Sequence, residues 1–63
     1  MGERLRYSRE KVGLLQKQVD AKIGVSLGTT SRWENESYSP RLRHLMELSK
    51  LYQVTMNWLL EGE

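Results

Sequence analysis

The sequence predicts an all-α fold, a compact bundle of five short helices, and three observations carry that expectation. Apolar residues recur at helical spacing: Val19 and Ile23 stand four apart, Leu5 and Val12 seven apart, and Leu42, Leu45 and Leu48 three apart. No stretch shows the strict apolar and polar alternation of a half-buried strand, and no repeat or low-complexity tract interrupts the chain. Cysteine is absent from the 63 residues, so no disulfide framework or thiolate metal site can staple a chain whose single core is only marginally stable at this size. Helix packing must supply the stability, in one domain over residues 1–63.

The first helix is read from Glu3 to Val12, with Leu5 and Val12 on one face, small Ser8 between them and Gly13 as a stop. Glu3 suits its positive N-terminal end. Leu14 is expected to enter the core. Gln16 to Ile23 forms the second helix, ended by Gly24, which can take a positive φ without steric cost. Leu15 stands where a Ser, Thr or Asp would normally cap, so this helix start lacks a side-chain cap worth about 1 kcal/mol. Its amides are left free to meet a phosphate. Val25 is expected to anchor the turn, and Ser26 to cap a third helix running from Leu27 to Asn35.

Glu36 to Pro40 is a turn-rich connector, closed by the only proline. Arg41 to Tyr52 resumes helical periodicity, with Leu42, Leu45, Leu48 and the pair Leu51 and Tyr52 in one broad stripe. Thr55 is expected to cap a last helix from Met56 to Leu60. His44, the single histidine, lies on an otherwise polar face and is expected to be exposed, with no partner for metal or catalysis.

The net charge of +2 is divided unevenly: residues 1–32 carry seven Lys or Arg against three acids, a balance of +4, while residues 33–63 stand at −2. A basic side that carries the helix pair suits a phosphate backbone, although a solvated surface has the same composition. No apolar stretch approaches the roughly 20 residues that span a bilayer, and the N-terminal residues lack the apolar core of a signal peptide, so a soluble, cytoplasmic chain is expected. One His, no Cys, no phosphate loop and no cluster of carboxylates argue against an enzyme, a metal site or a cofactor.

The chain resembles the helix-turn-helix DNA-binding domain of the lambdoid phage repressor and Cro type. The resemblance rests on Arg4-Leu5-Arg6 with Arg9; Gly13-Leu14, then Gln16; Ile23-Gly24-Val25-Ser26; Trp33-Glu34-Asn35; Pro40 with Leu45 and Leu48; and Val54-Thr55 with Trp58-Leu59-Leu60. It covers nearly the whole chain and places the helix-turn-helix at residues 16–35. By family position the base-facing residues are Leu27, Gly28, Thr29, Ser31 and Arg32. Arg32 is the best candidate for direct readout, because its planar fork can donate to guanine O6 and N7, a contact worth about 1 to 3 kcal/mol of discrimination. Leu27 offers an apolar contact to a thymine methyl. Gly28 offers only close approach, so DNA shape is expected to weigh more than in relatives with polar groups at these positions.

Gln16, Lys17, Asn35 and Arg41 match phosphate-contacting positions, and Arg43 is a weaker candidate beside Arg41. Arg9 and Glu34 match a structural salt bridge, which contributes at most about 1 kcal/mol if exposed. Trp33 is expected in the core. As in the family, a homodimer would set two recognition helices in the major groove about one turn apart on near-palindromic operator DNA, with Met56, Trp58 and Leu60 as candidate dimer contacts. The implied function is that of a phage or prophage transcriptional repressor, complete in itself or the N-terminal domain of a longer chain. A protein-interaction module that has lost DNA readout and an autoregulating antitoxin are the alternatives.

Three departures from the family pattern stand out. Asp20 occupies a position that favours Ala, and Thr30 one where Ile or Val packs. These positions face each other across the helix pair in the family fold, so the Thr30 hydroxyl is expected to donate to the Asp20 carboxylate, the alternative being an Asp20 turned to solvent. Glu36 replaces a common glycine, so the recognition helix is expected to end differently or run longer.

Overall fold

The computed structural model describes residues 1–63 and contains five helices in the order the sequence predicts: α1 (Gly2–Lys11), α2 (Gln16–Ile23), α3 (Thr29–Glu34), α4 (Leu42–Tyr52) and α5 (Met56–Glu61). Leu5, Val19, Trp33, Leu45, Leu48, Tyr52 and Leu59 form the core, drawing on every helix. The stretch α1 to α3 makes one half, with α1 and α2 both packed on α3. Helices α4 and α5 close the other side.

The chain enters α1 one residue earlier than Glu3 because the first turn finds an acceptor elsewhere: the Gly2 amide donates to Glu36 Oε2 at 3.0 Å. The start of α1 is therefore docked on the end of α3. Gly2 is buried there, and a Cβ on it would collide with the Glu34 carbonyl oxygen and the Glu36 Cγ. Leu14 is half-buried and packs against the core, as its position predicts.

The buried stripe of α4 is shorter than the spacing suggests. Leu45, Leu48 and Tyr52 are buried, but Leu42, in the first turn, is 66% exposed. His44 is not simply exposed either: it is half-buried, its ring 5.5 Å from that of Trp33 on α3. The Thr55 hydroxyl oxygen accepts from the Trp58 amide at 3.0 Å and caps α5 as expected. At the other end of α5, Arg4 donates to the carbonyls of Leu59 and Leu60, both at 3.1 Å. That guanidinium ties the first helix to the last.

Candidate nucleic-acid interface

The turn between α2 and α3 is built from two glycines and one carboxylate. Gly24 ends α2 with φ 84°, and the Gly24 and Val25 amides both donate to the Asp20 carbonyl. Ser26 does not cap the next helix. Helix α3 starts at Thr29, with Gly28 at φ 95° in the capping position, and Leu27 lies in the turn before the helix. The orphan amides are satisfied from across the pair by Asp20. Its Oδ2 accepts from the Gly28 amide at 2.8 Å; its Oδ1 accepts from the Thr30 amide at 2.8 Å and the Thr30 hydroxyl at 2.7 Å.

Asp20 is 3% exposed and Thr30 1%, so the clasp expected between them forms in the interior rather than in solvent. Burial pushes the Asp20 carboxyl upward. The hydrogen bonds from Thr30 and Gly28, with the charge of Arg32, outweigh it and hold the group below the ordinary carboxylate value.

A second carboxylate organises the far end of α3. Glu34 accepts from Arg9 Nε at 2.7 Å and Arg9 Nη2 at 3.2 Å, and from Gln16 Nε2 at 3.0 Å. Arg9 Nη1 donates in turn to the Leu14 carbonyl at 2.8 Å. The Arg9 and Glu34 side chains are only 9% and 4% exposed, so this bridge is a buried, bidentate one joining α1, α2 and α3 rather than a surface pair. The hydrogen bonds that Arg9 donates to Glu34 raise the Arg9 pKa further, against the opposing effect of burial.

The exit from α3 also differs from expectation. The helix neither runs longer nor ends unusually: the Glu36 amide donates to the Trp33 carbonyl and the Ser37 amide to that of Arg32, with Glu36 at φ 62°. This is the paired closure that glycine normally serves. Glutamate is held there because its carboxylate takes the Gly2 amide, and that bond, with the charge of the N-terminal amine, lowers its pKa.

With Thr30, Trp33 and Glu34 turned inward, the 100° step of a helix leaves Gly28, Ser31, Arg32 and Asn35 on the outward face and Thr29 at its border. Leu27, 78% exposed, projects from the turn beside them. Asn35 Nδ2 lies 3.5 Å from Ser31 Oγ along this face. A shallow depression lined by Thr29, Trp33, Tyr38, Ser39, Arg41 and His44 brings the start of α4 next to the start of α3. Arg41 and Arg43 are exposed there, as is Lys17 on the first turn of α2. The amides of Gln16 and Lys17 have no acceptor within the chain, whereas the Leu15 amide donates to Gln18 Oε1 at 2.8 Å. Gln16 itself is half-buried, its amide nitrogen already engaged by Glu34.

The structure refines the charge asymmetry. Arg4 and Arg9 are consumed within the fold and Arg6 lies 3.6 Å from Glu10. Apart from Arg4, which is spent on carbonyls, the cations without an acidic partner are Lys11, Lys17, Lys22, Arg32, Arg41, Arg43 and Lys50. Of these, Lys17, Arg32, Arg41 and Arg43 belong to the elements just described.

Among the candidate dimer residues, Met56 is half-buried against the core, Trp58 is half-buried with its ring 6.2 Å from that of Tyr7, and Leu60 is 48% exposed. Arg4 enters the sequence reading only as part of the resemblance, with no role given, and Gly2 and Tyr38 are not singled out at all, the last with its ring 6.0 Å from the Arg32 guanidinium carbon. No group of three or more His, Cys, Asp or Glu comes together that could hold a metal ion. No helix is long and apolar enough to cross a membrane.

The helix-turn-helix family model matches residues 5–59. The chain belongs to the helix-turn-helix family. This helix-turn-helix chain is similar to repressor protein C2 of Salmonella phage P22, with 36% identity over 63 residues, covering 100% of this chain and 29% of that protein. It is 32% identical over 63 residues to the transcriptional regulator DicA of Escherichia coli strain K12, covering 47% of that protein, and 33% identical over 60 residues to ImmR of Bacillus subtilis strain 168, also 47% covered. The chain thus spans less than half the length of these relatives. Among solved structures it is similar to the P22 c2 repressor protein in complex with synthetic operator 9T, with a TM-score of 0.91 and 35% identity over 98% of this chain and 94% of that one.

Proposed function

We propose that this domain binds double-stranded operator DNA sequence-specifically through the major groove, as a homodimer, and acts as a cytoplasmic transcriptional repressor of the phage or prophage kind. The observation that carries the reading is the likeness, at TM-score 0.91 and over 98% of the chain, to a repressor held in complex with a synthetic operator. Residues 1–63 serve as the DNA-binding unit, either as the whole chain or as the N-terminal domain of a longer repressor.

In this reading Leu27, Gly28, Thr29, Ser31 and Arg32 face the bases. An α-helix with its side chains is about 10 to 12 Å across, which fits a major groove about 12 Å wide. Gln16, Lys17, Asn35, Arg41 and Arg43 hold phosphates on either side and set the register without naming bases. The free Gln16 and Lys17 amides at the start of α2 support the phosphate role of that helix end. Met56, Trp58 and Leu60 supply the dimer contact, with Leu60 the most accessible of the three.

Titration of operator-like and random duplexes at several salt concentrations tests the reading. Affinity is expected to fall linearly on a log–log plot against salt, by roughly 0.9 for each phosphate neutralised, with a preference for one duplex persisting throughout. Binding that ignores salt would overturn it.

A further inference from the structure

Gly28 looks like a lost contact in a reading face, but the structure gives it a partner. The Arg32 side chain, four residues on and on the same face, leans back toward the start of α3, as helical side chains do. Its Nη1 lies 3.7 Å from where a Cβ on residue 28 would stand. The guanidinium thus rests over backbone that carries no side chain. Tyr38 flanks it, ring centre 6.0 Å from the guanidinium carbon, and no carboxylate lies within ion-pair distance of Arg32 to pull it elsewhere. The bare backbone is itself held in place: Gly28 keeps φ 95° while its amide donates to Asp20 Oδ2 at 2.8 Å.

We propose that Asp20 is a positioning residue for base readout, fixing the Gly28 backbone as a seat on which the Arg32 guanidinium is aligned before DNA is met. This rests on the DNA-binding function proposed above and assigns one of its specificity determinants to a residue that no base can touch. The two oxygens of Asp20 have separate duties. Oδ1 serves Thr30 and holds α3 to α2; Oδ2 serves Gly28 and holds the seat. The negative charge beneath the seat also attracts Arg32, which contributes to the depressed Asp20 pKa. Pre-alignment matters because a guanidinium that must be ordered on binding loses rotamer entropy that a seated one has already lost.

Asp20→Asn separates these duties. Asparagine keeps one acceptor oxygen but sets an amide donor against a backbone donor at the other position and removes the charge. The test is a comparison of wild type, D20N, R32A and the double variant on the chain's selected duplex and on duplexes bearing each single base-pair change. R32A should flatten discrimination at one base pair. D20N should reduce discrimination at that same base pair by about tenfold, leave the others within about twofold, and add nothing in the R32A background. Thr30→Val, which removes only an Oδ1 bond, should lower stability and leave that base pair as well read as before.

Uniform loss across all base pairs for D20N, or additivity with R32A, would overturn the assignment and leave Asp20 as a cap alone. If D20N does not fold, nitrogen-15 relaxation of the Arg32 Nε–H in the free wild-type chain decides: order above that of exposed Arg43 is expected, and equal mobility removes the seat. Failure of the wild-type chain to prefer any duplex would defeat the proposed function itself, an outcome distinct from a preference that D20N leaves intact.

Discussion

Glu34 is where the structure predicts the largest loss from the smallest change. Its carboxylate accepts three hydrogen bonds from two helices and is 4% exposed at the side chain, opposite an Arg9 that is 9% exposed. Removing one partner of such a pair leaves the other charge buried without compensation, at a cost of about 3 to 5 kcal/mol. A chain of this size is stabilised by only about 3 to 9 kcal/mol in total. Arg9→Ala and Glu34→Ala should therefore each bring the domain close to, or through, its unfolding midpoint at room temperature.

The double replacement Arg9→Met with Glu34→Leu removes both charges and keeps apolar bulk, and should recover most of the loss. Urea unfolding followed by the fluorescence of buried Trp33, with circular dichroism as a second probe, measures all three. Single-variant losses below about 1 kcal/mol would mean that the pair behaves as an exposed bridge, and would refute the burial argument.

Four further outcomes are expected. Arg32→Ala should relax discrimination at one base pair, whereas Arg41→Ala should weaken all duplexes alike and lower the salt slope by about one unit; equal loss on every duplex for Arg32→Ala would demote it to a phosphate contact. The Asp20 pKa is depressed in the fold, so its contribution is fully present above the unfolded value of about 3.9 and is lost as pH falls through the lower folded value; acid titration of stability should be shallower for Asp20→Asn than for wild type. Tyr52 is buried and its pKa raised by that burial and by Glu34, so wild type should lose stability as pH climbs past about 10 while Tyr52→Phe does not share that step. Gly2→Ala should destabilise by about 1 to 3 kcal/mol in urea, because the added methyl meets backbone rather than a side chain that can move.

What could be read from the sequence was whatever depends on neighbours along the chain. Helix spacing, the glycine at 24 and the Thr55 cap are all local, and all five helices stand where those signals put them, to within two residues at every boundary. The Asp20 and Thr30 exchange was legible because two unusual residues made sense only together. Ser26 misled for the opposite reason: the local capping rule favours it, but a carboxylate six residues earlier reaches the Gly28 and Thr30 amides across the turn. The Glu36 exit, the Arg4 clamp and the His44 contact with Trp33 likewise depend on what another helix brings near, which no spacing reveals. Leu42 shows the limit of periodicity itself, since a stripe says which residues align but not how far along the helix the core extends.

The most direct test of the central claim is selection of bound duplexes from a random pool, followed by sequencing. A near-palindromic site is expected, with half-sites about one helical turn apart and a guanine position whose enrichment disappears with Arg32→Ala. A pool that emerges without enrichment, from protein shown to be folded, would contradict the account.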